Sequence, residues 1–383
     1  MNTGSPAGLL SRYRRGDFFL ATADRTLLAR GVHTAITDVD EFALADRVGA
    51  TLRDGLADAP RLAVGALPFH SGPDTPGHLV VPAEAEVSGA VHPHAVAWSR
   101  RAVGNPVDVR PVPEPARHLQ AVASAVDALA ARDLRKVVLA RALDVEFGEP
   151  VSPEAVLHNL VLDNDRGYTF ATGLPNGATL LGASPELLLS RHGRTVVSHP
   201  HAGSAPRSPD PDVDERNAKA LLASRKDHVE HGVLTEAVVE TLRPYCRRLH
   251  VPSAPSLVST PTMWHLGTTV TGELSDPAVT ALHLAAALHP TPAICGTPTS
   301  SARQLVTELE TFDRGYYAGA VGWVDAKGDG EWAVSIRCAE VTEHSLRLYA
   351  GGGIMPESDP RTELEETSAK FATLLRAMGL PQE

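Results

Sequence analysis

Before residue 100 the apolar positions fall in short runs, such as Phe18-Phe19-Leu20-Ala21 and Arg61-Leu62-Ala63-Val64, separated by Gly/Pro turns. They predict strands and short helices and carry no chemical motif. The Pro-rich stretch 106–115 cannot be regular helix and predicts a connector across the surface, ahead of a helix over 116–132. It is a candidate seam. With no low-complexity linker elsewhere, the pattern favours one continuous domain, in which 1–115 is the N-terminal part and 116–383 carries the motifs. From Lys136 onward strands interleave with long helices. In Lys136-Val137-Val138-Leu139-Ala140-Arg141, Lys136, Val138 and Ala140 share one side of a strand and the others face away. Thr179 to Gly182 and Leu187 to Ser190 look similar. Within 214–243, Val229, Val233, Leu234, Ala237, Val238, Thr241 and Leu242 recur at helical spacing. A hairpin is predicted from 318–325, a turn at 326–330 and a second arm at 331–340. The last helix opens at Ser358-Asp359-Pro360, with Leu364, Phe371, Leu374, Leu375 and Met378 on one face.

Charge narrows the function classes. The 383 residues carry 35 Lys+Arg against 46 Asp+Glu, a net charge of −11, which argues against nucleic-acid binding. Hydrophobic residues at 43% and charged residues at 21% are ordinary globular usage. No apolar run approaches the roughly 18 to 20 residues of a membrane span, and the first fifteen residues lack the apolar core of a secretory signal. A cytoplasmic protein is expected. Cys246, Cys295 and Cys338 are widely spaced and read as reduced thiols, with neither a disulfide framework nor a zinc site. Only five of the basic residues are lysines: Lys136, Lys219, Lys226, Lys327 and Lys370. In so arginine-biased a chain, they are candidates for positions where a group must give up its proton.

Candidate chemistry lies in the second part. Asp227, Glu230 and His231 at i, i+3 and i+4 share a helix face, as do Glu363, Glu366 and Lys370 at i, i+3 and i+7. Two carboxylate pairs on two helices suit a hard divalent cation that keeps positions open for water and an anion. Solvated helix faces would give the same spacing. Lys136 is either a strand-end lysine or, if desolvated, a general base. Glu186, after the turn Gly182-Ala183-Ser184-Pro185, reads by itself as a surface loop carboxylate, and His265 can equally be a core histidine. The glycine turns at 202–204 and 350–353 offer backbone N–H groups to anions, and Arg337 offers a bidentate partner for a carboxylate.

In order, the segments KVVLAR (136–141), GASPE (182–186), HAGSAPR (201–207), KDHVEH (226–231), WHLGTTVTG (264–272), HPTPAICGTP (289–298), FDRGYYAGAVGW (312–323), IRCAE (336–340), AGGGI (350–354) and ELEETSAK (363–370) resemble the chorismate-utilising enzymes. Within them the chain looks like the isochorismate synthases. The resemblance implies a single-domain α+β fold of large antiparallel sheets flanked by helices. It also implies conversion of chorismate to isochorismate by adding water at C2 while the C4 hydroxyl leaves. Lys136 then matches the base and Glu186 the acid, with Lys136 starting neutral and Glu186 protonated. Glu230 and Glu366 match Mg²⁺ ligands, with Asp227 and Glu363 in support. Gly203, Ser204, His265, Ala293, Ile294, Tyr317, Ile336, Arg337, Gly351 and Lys370 match substrate-lining positions. The resemblance further implies no glutaminase subunit, a monomer as the default, and a product destined for a siderophore or other specialised metabolite, or for menaquinone. His201 departs from the usual aliphatic residue, Ser204 from threonine and Ala205 from a commoner arginine. Salicylate synthases, which go on to expel pyruvate, and a non-catalytic chorismate-binding homologue are the competing readings.

Overall fold

The computed structural model describes residues 4–54, 59–92, 98–131, 133–164, 166–260 and 263–378. Two large antiparallel sheets pack face to face. In the ten-stranded sheet nine strands run in the order Gly296–Thr297, Lys136–Phe147, Ser345–Ile354, Cys338–Val341, Thr179–Ser184, Tyr168–Gly173, Phe18–Ala21, Arg25–Arg30, Glu84–Gly89, and the tenth, Pro106–Val112, lies off this path against Lys136–Phe147. The nine-stranded sheet runs Cys246–His250, Val270–Leu274, Thr195–His199, Leu187–His192, Gly330–Val334, Ala320–Asp325, Leu62–Leu67, Gly77–Val81, Thr34–Asp38. A three-stranded sheet of His201–Pro206, Met263–Gly267 and Ser256–Ser259 completes the set. With helices packed on them, this is the expected α+β arrangement.

Alternation within strands explains why the sheets read as nearly continuous apolar runs, since both faces are covered. Phe18, Leu20 and Leu27 point into the layer between the sheets, where they meet Val64, Leu79, Leu189 and Trp332. Phe19, Leu28 and Leu181 point the other way, into a second core with Leu9, Leu157, Leu160, Phe371 and Leu374 from three helices. Residues before 100 supply strands to both sheets. The segment foreseen as a bare connector is instead a strand, Pro106–Val112, hydrogen-bonded to Lys136–Phe147. Its prolines suit a sheet edge, and Val107 and Val109 stay exposed. The helix after it is Pro115–Ala131, and Arg132 lies outside the described residues. All three cysteines are free, and among the described residues no helix is long and apolar enough to cross a membrane.

Two local expectations need correction. The helical pattern in 214–243 is two helices, Pro211–Ala223 and Arg225–Leu242, broken at Ser224, whose side chain accepts from the Asp227 N–H and caps the second. Val229 on that helix faces solvent. The second arm of the late hairpin is also broken. Gly330–Val334 belongs to the nine-stranded sheet and Cys338–Val341 to the ten-stranded one, so the chain changes sheets at 335–337.

That change of sheet positions the site. The chain also steps between sheets at Pro185-Glu186, at Pro200, and at Thr268-Thr269. Strand ends gather along this seam, and the two acidic helices, Arg225–Leu242 and Pro360–Met378, lie beside it. At the start of the latter, Asp359 caps by accepting from the N–H groups of Arg361 and Thr362, while Ser358 turns its hydroxyl to Glu363.

Candidate active site

The cavity at the seam collects nearly every residue singled out above. Lys136 opens its strand and is 1% exposed, so it is strand-end and desolvated at once. Its Nζ donates to Glu230 Oε1 at 2.6 Å. This contact explains the third glycine of 351–353: a Cβ at Gly353 would lie 2.7 Å from Glu230 Oε1 and 2.9 Å from Lys136 Cε. The lysine was expected uncharged; here its amine is engaged by one of the two carboxylates expected to hold a cation.

Glu186 sits on the step between sheets and is 3% exposed, which rules out the surface-carboxylate alternative. Burial raises its pKa to about 7, against the opposing pull of the His201 N–H, Lys136 and Arg337. A carboxyl so placed carries its proton near neutrality, as a general acid must.

Arg337 lies in the break between Gly330–Val334 and Cys338–Val341, with a left-handed φ of 50°. Such a conformation is costly for a non-glycine residue and marks a position fixed by its surroundings. It turns the guanidinium into the cavity beside Ile336. No hydrogen bond or ion pair to it forms from any described residue. Burial pulls its pKa down, but arginine keeps its charge. An unpaired, half-buried cation facing a cavity is an anion receptor in waiting.

On the C-terminal helix, Lys370 Nζ donates to Glu366 Oε1 at 2.5 Å and to the Gly351 carbonyl at 2.9 Å. Ser204 Oγ reaches the same Glu366 oxygen at 3.3 Å. Burial works against the Glu366 charge, yet Lys370, Lys226 and Ser204 hold its pKa below the usual carboxylate value. Asp227 goes the other way: burial raises its pKa, and Glu230 and Glu366 add to the rise. Gly203 has a φ of +75° at a bulge in its strand, and a Cβ there would lie 2.9 Å from the Asp227 Cβ. Asp227, Glu230 and Glu366 all line the cavity. Glu363 does not. It is buried behind the glycine strand, where Ser358 donates to one oxygen and the other has no partner among the described residues.

The remaining wall is neutral. Tyr317 stacks on Tyr349 at 4.9 Å, and a Cβ at Gly351 would fall 2.7 Å from its hydroxyl. His265 is buried with Nε2 unpartnered; burial, then Arg337 and Lys370, lower its pKa to about 3, so it stays uncharged. Ala293 and Ile294 close one end, held by the Arg314 guanidinium on the Ile294 carbonyl at 2.7 Å. Sequence reasoning named Lys226 among the candidate lysines without assigning it to the cavity it lines, and it missed the Glu310–Arg314 pair behind the wall. The i, i+4 spacing of that pair was the available signal.

Three carboxylates from two helices, repelling one another at a cavity wall, form an all-oxygen donor set that fits a hard cation. Among the described residues, however, no three His, Cys, Asp or Glu side chains gather as a finished metal centre. Lys136 and Lys370 occupy the two glutamates instead.

Residues 99–379 match the family described as chorismate binding enzyme. The chain belongs to this family. As a chorismate-binding enzyme, it is 47% identical over 384 residues to isochorismate synthase DhbC of Bacillus subtilis, covering 97% of this chain and 96% of that protein. It is 42% identical over 369 residues to the vibriobactin-specific isochorismate synthase of Vibrio cholerae, covering 96% and 92%. The crystal structure of a putative 2,3-dihydroxybenzoate-specific isochorismate synthase, DhbC from Bacillus anthracis, superposes with a TM-score of 0.93 at 44% identity, covering 98% of this chain and 100% of that one.

Proposed function

We propose that the protein is a Mg²⁺-dependent isochorismate synthase, an isomerase that moves the hydroxyl of chorismate from C4 to C2 by way of water. The observation that carries this reading is that a buried lysine and a buried carboxyl with a pKa of about 7 line one cavity together with an unpaired arginine. Chorismate is a dianion, and the cavity meets it with Arg337 and Lys370 although the chain as a whole is acidic. Lys136, in its amine form, takes a proton from the water that adds at C2. The ring double bonds shift, the C4–O bond breaks, and Glu186 delivers its proton so that the departing group leaves as water. The apolar side chains of Ile294, Ile336 and Val138 keep other water from the reacting face.

Glu230 and Glu366 would hold Mg²⁺, with Asp227 in support, and the ion would supply a positive anchor for a substrate carboxylate. Water, rather than ammonia, is the nucleophile in this reading, because Lys136 stands ready to deprotonate it. The vibriobactin and 2,3-dihydroxybenzoate in two relatives' names favour a catecholate siderophore pathway for the product.

The test is incubation of purified protein with chorismate and Mg²⁺, with and without ammonia, followed by product analysis. Isochorismate without pyruvate, lost when Mg²⁺ is chelated and restored when it is returned, is the expected result. Salicylate with pyruvate would replace the reading with a lyase, and unchanged chorismate would leave a binding protein.

A further inference from the structure

Beside the active-site cavity lies a second groove in which cations outnumber carboxylates. Arg135, Arg225 and Lys226 line it against one acidic side chain, Glu357. The rest of its lining is apolar, including the buried Leu134 and Met355. Val229, a large side chain that the core leaves 52% exposed, belongs to the same wall, one turn on from Arg225. Three stretches of chain join the groove to the cavity: Leu134-Arg135 runs into Lys136, Arg225-Lys226 into Asp227, and Gly353 leads on to Met355. Lys226 lines both spaces. None of the three cations is committed elsewhere. Arg135 and Arg225 are exposed, and among the described residues neither side chain makes a hydrogen bond or ion pair, while Lys226 comes no nearer than 3.9 Å to its one ion-pair partner, Glu363. Other arginines of this acidic chain are paired with carboxylates, as in Arg12–Glu86, Arg30–Glu84 and Arg347–Asp144. Inside the cavity the cations face carboxylates of similar number, so it exerts little long-range pull on an anion. The groove does, because cations of one sign set on an apolar wall focus their field outward into solvent.

Building on the chorismate reading above, we infer that this groove is the substrate's entry vestibule: Arg135, Arg225 and Lys226 collect the dianion from solvent, and Lys226, common to both spaces, passes it to the cations inside the cavity. A body of net charge −11 repels a dianion on average, so the way in must be locally positive. The vestibule acts before the chemistry. It raises the rate of productive encounter and leaves the reacting groups as they are.

Charge reversal at the two groove arginines tests this, because both are exposed and lie outside the cavity. Arg135→Glu/Arg225→Glu is compared with the unsubstituted enzyme and with Lys327→Glu for isochorismate formation, with Mg²⁺ saturating throughout. Lys327 is exposed in the turn beyond the opposite end of the strand Gly330–Val334 from Arg337, and so controls for net charge. At an ionic strength of about 0.03 M the double variant should lose about tenfold in kcat/KM with kcat within about twofold, and Lys327→Glu should stay within about twofold in both. At about 1 M, where the screening length falls to about 3 Å, the double variant and the unsubstituted enzyme should converge. Arg135→Gln/Arg225→Gln should fall about threefold at low salt, and it decides alone should the reversal fail to fold. Equal kcat/KM at every salt concentration would remove the groove from substrate entry. A loss confined to kcat would place the effect on the reacting groups, and an equal loss in Lys327→Glu would reduce it to net charge; either result overturns the vestibule. Failure of the parent reading looks different: the unsubstituted enzyme would make no isochorismate at any salt concentration, which would overturn both.

Discussion

Two ion pairs meet the strand Lys136–Phe147, and they differ in how fully their hydrogen bonds are used. In Glu310–Arg314 almost nothing is left over: Arg314 gives Nε and Nη2 to Glu310 and further bonds to the carbonyls of Ile294 and Val138, while Glu310 Oε1 also accepts from the Ala140 N–H. The guanidinium also lies over the Phe69 ring at 4.3 Å. Lys136–Glu230 is a single 2.6 Å contact at the edge of a cavity. The first pair ties a helix, a strand and the Ala293-Ile294 loop into one unit. The second leaves capacity that a substrate, water or cation can take up. Saturation marks a structural pair, and vacancy a chemical one.

The largest effect that would break this contrast is on turnover. Lys136→Ala should fold and melt much like the parent yet lose on the order of 10²- to 10⁴-fold in kcat, measured by isochorismate formation. Activity within a few-fold of the parent would remove the lysine as base. Arg314→Met should do the reverse in kind, costing about 3–5 kcal/mol of stability in denaturant unfolding because it strands a buried carboxylate. Any loss of activity should follow the unfolded fraction. A variant that melts normally but turns over poorly would place Arg314 with the chemistry. A smaller effect sharpens the acid. The Glu186 pKa, raised to about 7, means that activity requiring its proton falls as pH rises past that value, by about tenfold per unit. The same shift acts on stability. A carboxyl whose pKa is higher folded than unfolded stabilises the fold fully below the unfolded value, near 4.5, and loses that contribution as pH climbs through about 7. Glu186→Gln should therefore be nearly inactive, yet flatten the stability profile between those values.

Much of the site was legible in the sequence because strand and helix periods are local. Alternation put Lys136, Val138 and Ala140 on one side of a strand, and the first two of them line the cavity. Helical spacing brought Asp227 and Glu230 together. What was hidden depends on partners distant in sequence. No local pattern says that 331–340 must leave one sheet for another, yet that step aims Arg337 into the site. Ser224 reads as an ordinary polar residue inside a helical pattern until its hydroxyl is seen capping a new helix. Glu363 and Glu366 are three residues apart, about 60° around the helix, enough for one to face the cavity and the other to pack behind Gly352. The Pro106–Val112 strand was concealed by prolines that only a sheet edge accepts.

The protonation of Glu186 can be observed without any assay of turnover. With ¹³C-labelled glutamate, the side-chain carboxyl resonance that disappears in Glu186→Gln reports this group alone, and its chemical shift can be followed from pH 4 to 9. A midpoint near 7 is the expected result. A midpoint at the ordinary glutamate value, about 4.3, would leave the cavity without its proton donor and contradict the mechanism.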